Sequence, residues 1–262
     1  MLISFFKITA AGNDFILFFN LKKLRGKYLE DLARKVCSRN YGIGADGILV
    51  LKKKGKEFYL DYLNSDGSYA FCGNGTRAAA LWINKRFGNK NFQINTSAGR
   101  LCVVVRSKNV YVEMPSASFI KNMTLDVKDF KDGFYVKTGS YHLVIFSKRI
   151  DAIDILNLGR YFRYHKDFKP FGVNVNFVEL IKKTDFSASF KIRTYEKGVE
   201  TETLSCSSGI ASSFYAAEKI YGIRKAEFIT KNNERFFIEK NNNRTFISGP
   251  LKIICMGRYY YS

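Results

Sequence analysis

Two cysteines occupy matching settings about half a chain apart. Cys72 opens Cys72-Gly73-Asn74-Gly75 and Cys206 opens Cys206-Ser207-Ser208-Gly209. Each tetrad runs into small residues, Thr76-Arg77-Ala78-Ala79-Ala80-Leu81-Trp82 in one half and Ile210-Ala211-Ser212-Ser213-Phe214-Tyr215-Ala216-Ala217 in the other. A thiol beside the first backbone N–H groups of a helix feels the positive end of its dipole, which favours the thiolate. One such cysteine could be incidental; two in equivalent places of a repeat point to function. Cys37, Cys102 and Cys255 lie in apolar periodic runs and read as small buried hydrophobes.

The elements that must carry these cysteines follow from periodicity. The small-residue runs predict helices from Gly75 and Gly209 that approach a sheet closely. A third helix, Leu24 to Cys37, repeats Tyr28, Leu29, Leu32, Ala33, Val36 and Cys37 on one face. Strands are expected over Leu2 to Ile8, Ile48 to Leu51, Phe58 to Leu63, Leu101 to Val105, Val110 to Met114, Tyr141 to Phe146, Asn174 to Glu179 and Ser187 to Arg193. All are rich in β-branched and aromatic residues between Gly, Asn, Asp and Ser turns. Arg235 to Glu239 and Thr245 to Ser248 read as a hairpin with a longer loop spanning Lys240 to Arg244. Many strands with one small-residue helix per half predict an α+β fold of two similar domains.

Composition excludes several function classes. The 262 residues contain 43 Lys and Arg against 23 acids, a net charge of +20, with only 3 Pro. That is a globular composition with no Pro-rich linker. No apolar run approaches the roughly 18 residues of a spanning helix. Lys7 ends the apolar start too early for a signal peptide. Five cysteines without regular spacing argue against a disulfide framework and for a cytoplasmic protein. Metal chemistry lacks ligands: there are two histidines, His142 and His165, and no Cys-x-x-Cys pair. No nucleophile elbow is present. Gly42-Ile43-Gly44-Ala45-Asp46-Gly47 has dinucleotide-binding spacing, but a helix precedes it and a strand follows, the reverse of that motif, so it reads as a helix-to-strand turn. The basic excess is scattered. Even its densest basic and aromatic stretch, Arg160-Tyr161-Phe162-Arg163-Tyr164-His165-Lys166, comes without a nucleic-acid motif, so a solvated surface is the preferred reading over a nucleic-acid partner.

With these residues in view, the sequence resembles the diaminopimelate epimerase family of cofactor-independent amino-acid racemases, in order along essentially the whole chain. The resemblance is carried by Gly12-Asn13-Asp14-Phe15, Gly42 to Gly47, Asn64-Ser65-Asp66-Gly67-Ser68, Cys72-Gly73-Asn74-Gly75, Gly139-Ser140-Tyr141-His142, Asn174-Val175-Asn176-Phe177, Tyr195-Glu196-Lys197-Gly198 and Glu202-Thr203-Leu204-Ser205-Cys206. It implies two pseudo-symmetric domains, each a curled, mostly antiparallel, barrel-like sheet around a central helix, with the active site in the cleft between them. The domains would be 1–115 with 250–262, and 116–249.

The resemblance also implies the chemistry, isomerisation of LL- to meso-diaminopimelate for lysine and peptidoglycan precursors. One of Cys72 and Cys206 would remove the α-proton as a thiolate while the other thiol supplies a proton to the opposite face. His142 and Glu196 would hold and tune the thiols. Gly73, Asn74, Ser207 and Ser208 would direct backbone N–H groups at the substrate α-carboxylate. Asn13, Asn64 and Asn174 would bind the distal end, with Lys197 where the family has an Arg that contacts the distal carboxylate. Ser140-Tyr141 departs from the family pattern, as does a loop one residue shorter between Asn64 and Cys72. No cofactor, no metal and no membrane contact are implied; a small amino-acid substrate and a homodimer are. Two alternatives stay open: a related racemase of another amino acid, and a basic nucleic-acid-binding protein without catalysis.

Overall fold

Phe15-Ile16-Leu17-Phe18 and Ile48-Leu49-Val50-Leu51 are apolar at every position, a pattern suited to strands covered on both faces. In the computed structural model, which describes residues 1–21, 24–127 and 130–261, they are such strands. The chain forms two units, Met1–Val112 with the segment from Pro250 onward, and Glu113–Gly249.

The first unit runs β1 (Leu2–Ala10), β2 (Asn13–Phe19), α1 (Lys27–Cys37), β3 (Gly47–Lys54), β4 (Glu57–Asn64), β5 (Tyr69–Ala70), α2 (Gly73–Phe87), β6 (Asn91–Thr96), β7 (Gly99–Arg106) and β8 (Asn109–Met114), which crosses the boundary. The second runs β9 (Phe119–Val127), β10 (Phe130–Thr138), β11 (Ser140–Phe146), α3 (Ile155–Arg163), β12 (Asn174–Lys183), β13 (Ser187–Glu196), β14 (Thr201–Thr203), α4 (Ser207–Tyr221), β15 (Lys225–Ile229), β16 (Arg235–Asn241) and β17 (Arg244–Ser248). Strand β18 (Lys252–Tyr260) returns to the first unit and pairs antiparallel with β1.

The two sheets repeat each other pairing by pairing. β1 with β2 and β10 with β11 are antiparallel. β2 with β3 and β11 with β12 are parallel. β4 with β6 and β13 with β15 are parallel again, each across a cysteine helix. β18 on β1 matches β9 on β10. The fold is α+β in two domains.

Side-chain alternation assigns the two faces of the first sheet. Phe15, Leu17, Leu49 and Leu51 meet Ala78, Ala79, Ala80, Trp82 and Ile83 of α2. Ile16, Phe18, Ile48 and Val50 meet Leu29, Leu32, Ala33 and Val36 of α1. The α2 core also takes Ile8, Leu60, Ile94, Val103 and Val112, so β1 to β4 and β6 to β8 face this one helix and the sheet curls around it. Each fully buried Leu, Ile or Phe stabilises this arrangement by about 1.5–3 kcal/mol relative to exposure. In the second unit α3 covers one face through Phe162, packed with Phe177, Val175 and Tyr195. On α4, Ile210, Ala211, Phe214 and Ala217 are buried against β10, β11, β12 and β17.

Several expectations need correction. The helices expected from Gly75 and Gly209 start at Gly73 and Ser207, because the preceding cysteines cap them. The helix expected from Leu24 starts at Lys27, after Gly26 at φ 53°. The C-terminal hairpin has no longer loop: pairing continues to Asn241 and Arg244, and Asn242 and Asn243, at φ 45° and 64°, make a two-residue turn. Cys255 is exposed on β18 and Cys102 is half-buried, so of the three cysteines read as buried hydrophobes only Cys37 is one. Burial pushes the Cys37 thiol up to about 12. The basic stretch from Arg160 is largely the end of α3, with Phe162 in the core and Arg163 Nε 3.2 Å from Glu200. Among the described residues no helix is long and apolar enough to cross a membrane.

Candidate active site

The two cysteine helices begin alike. Cys72 caps α2 at φ −134°, ψ 111°, and Cys206 caps α4 at φ −131°, ψ 105°. Each sulfur accepts the third helical N–H, from Gly75 at 3.3 Å and from Gly209 at 3.4 Å. Each cysteine carbonyl accepts the next one, from Thr76 and from Ile210, both at 2.9 Å. The N–H groups of Gly73 and Asn74, and of Ser207 and Ser208, precede the first N–H bonded to a helix carbonyl, where a helix presents donors to an anion. Both helices have 15 residues and end on left-handed glycines, Gly88 and Gly222.

In the first unit Asn13, Cys72 and Asn74 are brought together. Asn13 Oδ1 lies 3.8 Å from the Cys72 sulfur and accepts from Asn74 Nδ2 at 3.4 Å. Asn13 Nδ2 donates to Asp46 at 2.6 Å. Asp46 and Asp14 share Arg39, at 2.8 Å and 3.0 Å, and Lys7 lies 2.6 Å from Asp14. Burial would raise the Asp14 pKa, but hydrogen bonds and charge from Lys7 and Arg39 outweigh it and hold the carboxyl below its ordinary value. Asn64 stands in a different set of bonds: it accepts from Tyr62 Oη at 2.8 Å and donates to Ser68 at 3.0 Å. Gly47, its partner across the sheet, leaves room for that tyrosine, since a Cβ there would lie 2.5 Å from the Tyr62 ring.

The second unit carries a buried polar chain. Asn176 Oδ1 accepts from Thr194 at 3.0 Å, so its amide nitrogen faces His142 Nδ1 at 3.1 Å. Nδ1 is then the acceptor, and Nε2 carries the proton that it donates to Ser140 at 2.9 Å. Both ring nitrogens are thereby engaged. Burial alone lowers the His142 pKa to about 3, so the ring is neutral at physiological pH. Asn174 donates to the Tyr141 carbonyl at 3.0 Å and accepts the Lys197 N–H at 2.9 Å. The Lys197 ammonium reaches back to the Phe171 carbonyl at 2.7 Å. Glu196 ends β13 opposite Thr201. Ser208 Oγ lies 3.3 Å from the Cys206 sulfur. Gly209 rests on Asn176, where a Cβ would come within 2.3 Å of Oδ1.

Among the residues of these clusters that types and spacing did not single out are Asn176, Asp46 and Arg77, whose Nη2 donates to Asn74 Oδ1. Asn174 and Asn176 alternate with valines on one face of a buried strand, and two amides at period two among apolar residues are a legible sign of an internal polar chain. Arg77, alone among the small residues of α2, is a similar sign.

The sequence model of the family described as diaminopimelate epimerase matches residues 5–120. A relative from Hydrogenobaculum sp. (strain Y04AAS1), named diaminopimelate epimerase, is 36% identical over 98% of both chains. The chain belongs to the diaminopimelate epimerase family. A further relative of that name, from Aquifex aeolicus, is 36% identical over 79% of this chain and 78% of its own length. The fold extends beyond the diaminopimelate epimerase family: the crystal structure of a PhzF-family phenazine biosynthesis protein from Enterococcus faecalis superposes with a TM-score of 0.75 over 100% of both chains at 15% identity. As a diaminopimelate epimerase family member the chain is an isomerase of the epimerase and racemase type.

Proposed function

We propose that this isomerase interconverts LL- and meso-diaminopimelate without a cofactor, in the cytoplasm, on the route to lysine and peptidoglycan precursors. Cys72 and Cys206 are the two bases: one thiolate takes the α-proton from one face of the carbon, and the other thiol gives its proton to the opposite face. The observation that carries this reading is the pair of cysteines capping equivalent helices with the same backbone geometry and the same Sγ to N–H bond. Inverting a stereocentre needs two such groups, and a duplicated unit supplies two.

The carbanion needs stabilisation as well as a base. A millionfold acceleration corresponds to about 8 kcal/mol, and one well-aimed donor supplies roughly 3–4 kcal/mol. The N–H groups of Gly73, Asn74, Ser207 and Ser208, directed at the α-carboxylate, give the right order when several act together. His142 works as a neutral support, because its bonds to Asn176 and Ser140 fix the strand beneath α4. Glu196 acts on the thiols. Asn13, Asn64, Asn174 and Lys197 receive the distal amino and carboxylate groups. Lys197 offers a point charge in place of a planar fork.

One observation favours a second reading, a racemase of another amino acid: the Lys197 ammonium is already bound to the Phe171 carbonyl. Deuterium incorporation at the α-carbon from heavy water, followed by mass spectrometry over a panel of amino acids, separates the two. Exchange with diaminopimelate is expected; exchange with a different amino acid and none with diaminopimelate supports the second reading. Cys72→Ala and Cys206→Ala should each lower the exchange by a factor of roughly a hundred or more while circular dichroism stays native. Near-normal exchange in either variant contradicts the two-base scheme.

A further inference from the structure

The asparagines assigned to the distal end of the substrate differ in what their amides have left to offer. A side-chain amide brings two N–H groups and two carbonyl lone pairs. Asn13 gives an N–H to Asp46 and uses its oxygen on Asn74 Nδ2 and the Cys72 thiol. Asn174 gives its nitrogen to the Tyr141 carbonyl and Ser140 Oγ, and its oxygen takes the Lys197 N–H. Asn64 bonds Tyr62 through its oxygen and Ser68 through its nitrogen. Among the described residues Asn64 thus keeps both a donor and an acceptor, where Asn13 keeps a donor and Asn174 an acceptor.

The polarity of the Asn64 amide is fixed by its neighbours. Ser68 Oγ lies 2.6 Å from Asp66 Oδ1, and the Ser68 N–H donates to the same oxygen at 2.8 Å. The hydroxyl first, and the N–H with it, hold the Asp66 carboxyl below its ordinary pKa, so at neutral pH it only accepts. The Ser68 hydroxyl proton therefore goes to Asp66, and Ser68 Oγ takes a hydrogen from Asn64 Nδ2 at 3.0 Å. That turns Asn64 Oδ1 toward Tyr62, whose hydroxyl donates to it at 2.8 Å. The Tyr62 ring packs edge to face on Phe15, 5.9 Å between centroids, and over Gly47, where a Cβ would meet it at 2.5 Å. The loop is anchored as well: Arg34 of α1 donates to the Asp66 carbonyl at 3.2 Å, and the Ser65 N–H to the Asp46 carbonyl at 3.1 Å.

We propose that Tyr62 and Ser68 are positioning residues that lock the Asn64 amide, so that its remaining N–H and lone pair read the handedness of the substrate's distal centre. This rests on the reading of the substrate as diaminopimelate. The LL and meso forms differ at the centre that is inverted and share an L centre at the other end. That end carries an ammonium and a carboxylate. An amide of fixed polarity accepts from the ammonium with Oδ1 and donates to the carboxylate with Nδ2. With the rest of the chain held, the two groups of a D centre exchange places, and each meets the wrong end of the amide. An amide free to turn over would bond either hand.

The test is α-proton exchange from heavy water by the full-length protein with meso- and DD-diaminopimelate, which at a reacting D centre differ only in the hand of the distal one. By kcat/KM, the wild type should prefer the meso form about a hundredfold or more. Tyr62→Phe keeps the ring and releases Oδ1. It should raise KM for the meso form about tenfold with kcat little changed, and shrink the meso-to-DD preference by a similar factor. Ser68→Ala removes the other pin and should shift the preference in the same direction. A role in folding alone would slow both forms equally, and an unmoved preference in a Tyr62→Phe protein with native circular dichroism overturns the proposal. Equal exchange of the two forms by the wild type overturns it without any variant, so a misfolded Tyr62→Phe does not protect it. That outcome removes the inference alone, whereas no exchange with any diaminopimelate isomer removes the diaminopimelate reading and this role of Asn64 with it.

Discussion

His142 is held neutral in the fold, and its cost appears only when acid tries to charge it. Burial sets its folded pKa at about 3, against an ordinary value of 6.5. Between those values the unfolded chain binds a proton that the folded chain refuses. The stabilisation is therefore complete above pH 6.5 and is lost as the pH falls toward 3. The register supplies a comparison residue, because Phe15 pairs with Gly47 in the first unit as His142 pairs with Asn174 in the second. His142→Phe should remove this proton linkage. Urea unfolding at pH 7 and pH 5 should show wild type losing about 2 kcal/mol more than the variant over that interval. The variant should start lower at pH 7, by about 1–3 kcal/mol, because Asn176 and Ser140 lose the ring they bond. Equal pH slopes in the two proteins would mean that the ring is not held neutral by burial.

At the scale of elements, the same capping cysteine serves two helices that rest on different floors. A Cβ on Gly75 would come within 2.8 Å of Leu49 Cδ2, the tip of an apolar side chain, whereas one on Gly209 would come within 2.3 Å of Asn176 Oδ1. Asn176 is held by Thr194, His142 and the Leu143 carbonyl and has little freedom to move. Gly209→Ala should therefore cost about 1–3 kcal/mol of stability, and Gly75→Ala should cost less. Thermal unfolding of the two variants checks this order, and a larger loss for Gly75→Ala would contradict it. These floors also show what could be read from residues alone. The helices announce themselves by small residues, and the repeat by its two tetrads. Strand β9 lies outside the expected set although Met123, Leu125 and Val127 alternate with Thr124 and Asp126, and the side chains along it are largely exposed. The tight C-terminal hairpin escapes because Asn242-Asn243 lacks the glycine that usually marks such a turn. In the site, the cysteines and asparagines carry recognisable motifs. The parts played by Arg77 and Asn176 are harder to assign, although their setting among small or apolar residues is visible in the sequence, because burial of a polar side chain depends on packing that neither residue specifies by itself.

At the scale of the molecule, the first unit is completed by residues from the far end of the chain. β18 pairs with β1 from Leu2–Tyr260 to Thr9–Lys252, and the Tyr261 N–H donates to the Met1 carbonyl at 2.8 Å. Tyr261 also reaches α1, donating to Asp31 at 2.9 Å with the Lys35 ammonium 5.2 Å from its ring. Burial and the adjacent Asp31 carboxylate push its phenol up to about 12, so it remains a donor throughout the working range. The second unit fills the equivalent place with β9, which directly precedes β10 in sequence. The two units thus depend unequally on the end of the chain. Ending the protein after Gly249 should strip β1 of a partner along one edge and expose the α1 side of the first core, where Ile3 and Phe5 pack. Hydrogen–deuterium exchange should then show loss of protection in residues 2–10, 13–19 and 27–37, with β10 to β13 and α4 keeping theirs. Epimerase activity should fall with it, because Asn13 at the start of β2 is one strand away from the lost pairing and is bonded to the Cys72 sulfur. Equal loss of protection in both units would show that they unfold as one body and that β18 does not belong to the first unit alone.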